Sequence, residues 1–163
     1  MIRKYQPDDF GILENWVTDK ELLLQFSGTD FHFPITKLQV QVYQQANPDR
    51  TFYLGFDDKL EPYAFGEIIP QAGNVPRLGR ILVGQKDKRG IGLGQLFVLD
   101  LIQECVNCYK CNAVELFVWD QNLAAIRCYL KVGFKYIPEK QMTMTHEGRQ
   151  YDIHKMISEI NEF

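Results

Sequence analysis

Six residues, Arg89-Gly90-Ile91-Gly92-Leu93-Gly94, constrain this chain more than any others because of what flanks them. Before them, Leu78-Gly79-Arg80-Ile81-Leu82-Val83 reads as a strand, rich in branched apolar residues. After them, Leu96, Phe97, Val98, Leu101, Ile102 and Cys105 keep helical spacing, while Asp100, Gln103, Glu104 and Asn107 mark the wet stripe. A strand, a glycine-rich turn and a helix start leave main-chain N–H groups unpaired where they favour negative charge. Glycine also removes the Cβ that would keep an oxyanion off the backbone. With Lys86, Lys88 and Arg89 alongside, the loop reads as a phosphate holder.

Spacing sets two common phosphate loops aside. The nucleotide-triphosphate loop ends its glycine run in Lys-Ser or Lys-Thr, whereas Gly94 is followed by Gln95 and Leu96. The dinucleotide fingerprint spaces its glycines G-x-G-x-x-G, and here they fall at 90, 92 and 94. That fingerprint also wants an acidic residue at the tip of the next strand; Glu115 lies inside the strand instead.

The downstream segment narrows the field. Ala113 to Trp119 alternates like a strand, Asp120-Gln121-Asn122 offers capping side chains, and Leu123 to Val132 reads as a helix stopped by Gly133. Arg89-x-x-Gly92-x-Gly94, a strand, then Asn122-x-x-Ala125-x-x-x-Tyr129-x-x-x-Gly133-Phe134 resembles the GNAT superfamily of N-acetyltransferases. The two motifs match in order and separation over about residues 76 to 138. Gly148 to Met156 further resembles the last hairpin strand of the branch that acetylates ribosomal-protein N-termini and polyamines.

The resemblance implies an α+β fold, a single GNAT domain over residues 1–163. Its mixed sheet would be mostly antiparallel, with a central parallel strand pair that splays apart between flanking helices. It implies acetyl-coenzyme A as cosubstrate and a primary amine, small molecule or peptide, as acceptor. The pantetheine arm would then pair with main-chain groups of Ile81, Leu82 and Val83. The amides of Arg89, Gly90, Ile91, Gly92, Leu93 and Gly94 would face the pyrophosphate, with Lys88 or Arg89 adding charge. One departure is visible: Gln85 stands where many relatives have proline, and the loop from Val83 to Arg89 is one residue longer than the commonest form. Which of Lys86, Lys88 and Arg89 touches phosphate therefore stays open.

Acetyl transfer needs a polarised thioester carbonyl, a deprotonated amine and a proton for the departing thiolate. A backbone N–H near Leu82 or Val83 would serve the first. Tyr129 suits the last, because a phenol with an ordinary pKa of about 10 is protonated at neutral pH; the alternative is that its ring only packs. Asn122 would bond the pantetheine arm, cap its helix, or both. Glu67 is the candidate general base if it faces the cleft, and otherwise belongs to a solvated sheet edge; Glu115 is similar. His32, His146 and His154 are isolated, and Cys128, next to Tyr129, points about 100° away on a helix. A non-catalytic acyl-coenzyme A sensor on the same fold is the alternative function.

Composition adds boundaries. The 163 residues are 45% hydrophobic and 13% aromatic, enough for one real core. A net charge of −3 gives no broad basic face, so no nucleic-acid partner is expected. No apolar run approaches the ~20 residues of a membrane span, and Met1 to Asp9 lacks the apolar core of a secretion signal. A cytoplasmic protein without membrane partners is expected, and exposed strands would permit a homodimer. Cys105-x-x-Cys108-x-x-Cys111 has metal-like spacing but no matching second pair, so no metal is expected.

Periodicity and turn residues outline the remainder. Strands are expected at 2–5, 51–56 and 62–69, and helices at 10–17, 19–26 and 35–45. Tyr136 to Met144 and Arg149 to Ile157 should close the sheet as a hairpin. The acceptor would meet Asp19 to Phe33, which carries Glu21, Phe26, Asp30 and Phe31, and the turn Thr145-His146-Glu147-Gly148.

Overall fold

The structure, a computed structural model, describes residues 1–160. It runs β1 (Ile2–Lys4), a 3-10 turn (Pro7–Asp9), α1 (Phe10–Trp16), α2 (Lys20–Ser27), α3 (Lys37–Ala46), β2 (Thr51–Phe56) and β3 (Pro62–Ile69). Then come β4 (Arg77–Val83), α4 (Leu93–Tyr109), β5 (Ala113–Trp119), α5 (Leu123–Val132), β6 (Lys135–Tyr136), β7 (Met142–His146) and β8 (Arg149–Glu159).

Polar caps start the helices where their sequence placed them. Asp19 accepts from the Leu22 amide at 2.8 Å, Thr36 from Gln39 at 3.2 Å and Asn122 from Ala125 at 3.3 Å. Gly133, at φ 108°, supplies the left-handed stop of α5.

All strands join one sheet in the order β1-β2-β3-β4-β5-β8-β6, with β7 also on β8. Every pairing is antiparallel except β4 with β5. That parallel pair is matched only at Arg77↔Glu115 and Leu78↔Leu116, after which the strands part. The C-terminal hairpin departs from expectation. Residues 136–144 do not form one strand: a 3-10 turn at Pro138–Lys140 divides β6 from β7, and both pair with β8. Pro138 has no N–H to give a ladder, so the strand breaks there.

A bulge sits at the splay. Between Phe65↔Leu82 and Glu67↔Gly79, β4 holds one residue more than β3, and Arg80 takes φ 48°. The extra residue reverses the strand's alternation. Leu78 joins the core under α4 and α5, whereas Leu82, four residues on, joins the core under α1, α2 and α3.

Those two cores clamp the sheet. Helix α4 buries Phe97, Val98, Leu101 and Cys105 along one face, while Leu96, off that arc, stays exposed. The Phe97 ring lies directly on Gly55 and Gly66, where any Cβ would collide with it. A buried aromatic of this kind contributes about 1.5–3 kcal/mol. Across the sheet, Tyr43 stacks on Phe52 at 5.6 Å, and Phe26 meets Phe65 edge-on. Helix α1 seats Trp16 on Gly84, the residue just past β4, so closely that a Cβ there would overlap the indole.

Candidate active site

The glycine loop opens α4 as a main-chain cradle. Gly92 is the helix N-cap at φ 92°, and Gly90 lies at φ 77°, both conformations that a side chain would strain. Nothing stands within 4 Å of where a Cβ would project at either. Among the described residues, none of the amides from Gly90 to Gly94 donates to a protein acceptor; Gln95 is the first to do so, to the Gly92 carbonyl at 3.0 Å. Five consecutive free donors at the positive end of a 17-residue helix form an anion seat.

The cradle faces a cleft of about 590 Å³ walled by the end of β4 and by α5. Gly90, Gly92, Gly94, Ile81, Leu82, Val83, Asn122 and Tyr129 all line it. Ile91 and Leu93 do not line it. Lys88 is turned elsewhere, to Asp57 at 2.5 Å and Glu61 at 3.1 Å. Arg89 lines the cleft but folds back, donating through Nε to the Val83 carbonyl at 2.8 Å. Two further cations, Arg127 and Lys131, reach the cleft from α5. Their signal was present in the sequence: they are four apart on the helix of Tyr129 and so share a face.

The strand edge selects among the expected main-chain groups. The Gly84 N–H donates to the Tyr63 carbonyl at 2.9 Å, so by alternation the groups of Leu82 face β3. Those of Val83 and Ile81 face the gap left by β5.

Tyr129 stands at the centre. It is 6% exposed and lines both the large cleft and a second chamber of about 300 Å³. Its ring packs against Phe134, yet its hydroxyl makes no hydrogen bond among the described residues. Burial pushes the phenol's pKa above its ordinary value, with Cys128 adding to the shift. The group is therefore a protonated donor with an unspent O–H.

The second chamber lies where β4 and β5 part, between α2 on one face of the sheet and α5 on the other. Gln25, Phe26, Ile81, Asn122 and Tyr129 line both chambers, so the two adjoin. The segment expected to meet the acceptor contributes Gln25, Phe26, Ser27, Gly28 and Asp30; the turn at 145–148 lines neither chamber. Three arginines that the sequence reading did not single out, Arg50, Arg77 and Arg80, line this end.

Glu67 lies neither at a solvated edge nor open to the cleft. It is fully buried, one carboxylate oxygen accepting from Tyr43 at 2.7 Å and the other from Arg80. Arg80 also binds Asp30 and lies over the Tyr43 ring at 4.3 Å. Burial raises the Glu67 pKa, outweighing the opposing pull of Arg80 and Tyr43. Burial and Glu67 together push the Tyr43 phenol up to about 12. Glu115 is buried too and bonded to Lys155 at 2.7 Å.

His32, His146 and His154 line neither chamber. Cys105 is buried, whereas Cys108 is exposed with its thiol toward Glu104. Among the described residues, no group of three or more His, Cys, Asp or Glu is placed to hold a metal ion. No described helix is long and apolar enough to cross a membrane.

A splayed parallel pair in an otherwise antiparallel sheet, with a glycine cradle at the following helix, defines an acyl-coenzyme A N-acyltransferase fold. Solved acetyltransferase structures share it. The spermidine N-acetyltransferase from Vibrio cholerae, in complex with CoA and spermine, aligns with a TM-score of 0.78 at 13% identity, covering 96% of this chain and 93% of that one. The aminoglycoside acetyltransferase AAC(6')-Ib in complex with coenzyme A aligns at 0.74 and 20% identity, covering 98% and 94%. By sequence, the chain is 27% identical over 105 residues to a spermine/spermidine N(1)-acetyltransferase of Bacillus subtilis (strain 168), covering 62% of this chain and 69% of the relative. The family model "Acetyltransferase (GNAT) family" matches residues 18–134. The chain belongs to that family and is an acetyl-coenzyme A-dependent N-acetyltransferase.

Proposed function

We propose that the protein transfers acetyl from acetyl-coenzyme A to a small primary amine by direct attack, with Tyr129 as proton donor to the departing thiolate. One observation carries the reading: in the run of unspent amides from Gly90 to Gly94, Gly90, Gly92 and Gly94 line the same cleft as Tyr129, whose hydroxyl is also unspent. The spermine/spermidine and aminoglycoside acetyltransferases similar to this chain support a small amine as acceptor.

The cosubstrate supplies an activated acetyl group as a thioester. In this reading the cradle amides hold the pyrophosphate, helped by Arg89, Arg127 and Lys131 and not by Lys88. The Ile81 main-chain groups, which face the gap, pair with the pantetheine arm as an added strand would. The Asn122 side-chain oxygen caps α5, leaving its NH₂ for the arm. The Val83 N–H polarises the carbonyl. The amine nitrogen bonds to the carbonyl carbon, the carbon–sulfur bond breaks, and sulfur takes the Tyr129 proton. The new amide sheds its extra proton to water in the cleft, and water reprotonates Tyr129. Glu67 touches neither reactant; it is a positioning residue, fixing Arg80 and through it Asp30 and the bulge.

Thiol release from acetyl-coenzyme A across an amine panel tests the activity. A thermal-shift measurement tests the cradle, since ligand at 100 times its dissociation constant stabilises by about 2.7 kcal/mol. Cofactor binding without thiol release from any amine would favour the sensor reading instead.

A further inference from the structure

The acceptor end of the cleft is poor in available negative charge. Its lining holds one carboxylate, Asp30, against Arg50, Arg77 and Arg80. Asp30 is already bonded to Arg80, and so is Glu67 behind the wall. Glu115, beside Arg77 in register, is bonded to Lys155. Asp49, next to Arg50 in sequence, is exposed and lines neither chamber. Asp30, Glu67 and Glu115 thus each have a cationic partner.

Arg50 and Arg77 differ from Arg80. Neither is within 4.0 Å of a carboxylate oxygen among the described residues. Arg50 donates to the Tyr43 hydroxyl at 2.6 Å, and Arg77 lies over the Phe117 ring at 5.0 Å. Partial burial lowers the Arg77 pKa, with Glu115 opposing the shift and Arg50 adding to it. A polycation entering here would meet two guanidiniums and no unoccupied carboxylate. An oxyanion would meet two planar forks suited to it.

Resting on the proposed transfer to an amine, we propose that the acceptor carries a carboxylate besides its amine, as a small amino acid does. Arg77 and Arg50 take the carboxylate, and the amine points along the chamber toward Tyr129. The chamber's volume of about 300 Å³ suits a compound of that size.

The test pairs each amine with its carboxylated counterpart: phenethylamine with L-phenylalanine, 3-(methylthio)propylamine with L-methionine, and spermidine as the polycation. Thiol release from acetyl-coenzyme A is the readout. The wild-type protein should favour the carboxylated member by at least 10-fold in kcat/KM. Arg77→Gln should bring that ratio toward one by raising KM for the carboxylated member, and Arg77→Lys should restore part of it. Greater turnover of spermidine or of the decarboxylated amines overturns the proposal while leaving the acetyltransferase reading intact. So does an Arg77→Gln effect equal on both members of a pair. Absence of thiol release from every amine, with no thermal shift by acetyl-coenzyme A, removes that reading as well.

Discussion

At the proposed coenzyme end of the cleft the available groups are main-chain amides from one stretch, residues 90–94, whereas at the proposed acceptor end they are guanidiniums from before β2 and from β4. Arg50 stands at the entrance to β2, and Arg77 and Arg80 sit on β4, Arg77 before the bulge and Arg80 within it. The first arrangement asks only for small residues and a helix start, so it tolerates change in side chains but not the arrival of a Cβ. The second depends on the sheet bringing distant positions together.

That contrast can be broken at several points. The largest effect expected is on stability at the acceptor end. Glu67→Ala leaves the Arg80 guanidinium buried with one partner fewer, and loss of one member of a buried ion pair costs about 3–5 kcal/mol. Calorimetry should show Tm falling by roughly 10 °C or more. Pairing Glu67→Leu with Arg80→Met should recover most of that loss, and no recovery would mean that the pair is not the cause. Next comes Tyr129→Phe, expected to cut turnover about 10²-fold with the acetyl-coenzyme A thermal shift unchanged. Unchanged turnover would remove Tyr129 from the acid role.

At the coenzyme end, Gly92→Val places a branched side chain at φ 92°. It should raise KM for acetyl-coenzyme A about 10-fold, or roughly 1.4 kcal/mol, in steady-state kinetics. A larger change in kcat than in KM would show that the cradle does more than bind. The pH profile should sharpen the Tyr129 assignment. Burial holds its pKa above the ordinary value of about 10, so the donor stays protonated and turnover should not fall between about pH 8 and 10. A decline there that Tyr129→Phe abolishes would contradict this. The smallest contrast lies between cations: Lys88→Ala should leave KM for acetyl-coenzyme A within about 2-fold, while Arg127→Ala should raise it by about 3-fold.

Legibility in the sequence followed the same divide. The cradle, the cap at Asn122 and the stop at Gly133 are local, so their residues announced them. Lys88 and Arg127 were harder. Both are cations close to the expected cleft in sequence, but Asp57 and Glu61, from the far end of another hairpin, decide that Lys88 points away. Glu67 read as facing a cleft or solvent because its strand position fixes a face, not what covers that face. Tyr43, 24 residues earlier on α3, is what closes over it.

By itself the sequence determined the order of the elements, the glycine loop's place between a strand and a helix, and Tyr129's position on the helix that follows. These follow from backbone preferences and periodicities that act within a few residues. Tertiary structure alone decided the bulge at Arg80, the reversal that sends Leu78 and Leu82 into opposite cores, and the gathering of Arg50, Arg77 and Arg80 on one chamber. Register between strands is a property of the pair, and burial a property of the whole, so no single stretch of chain could carry either.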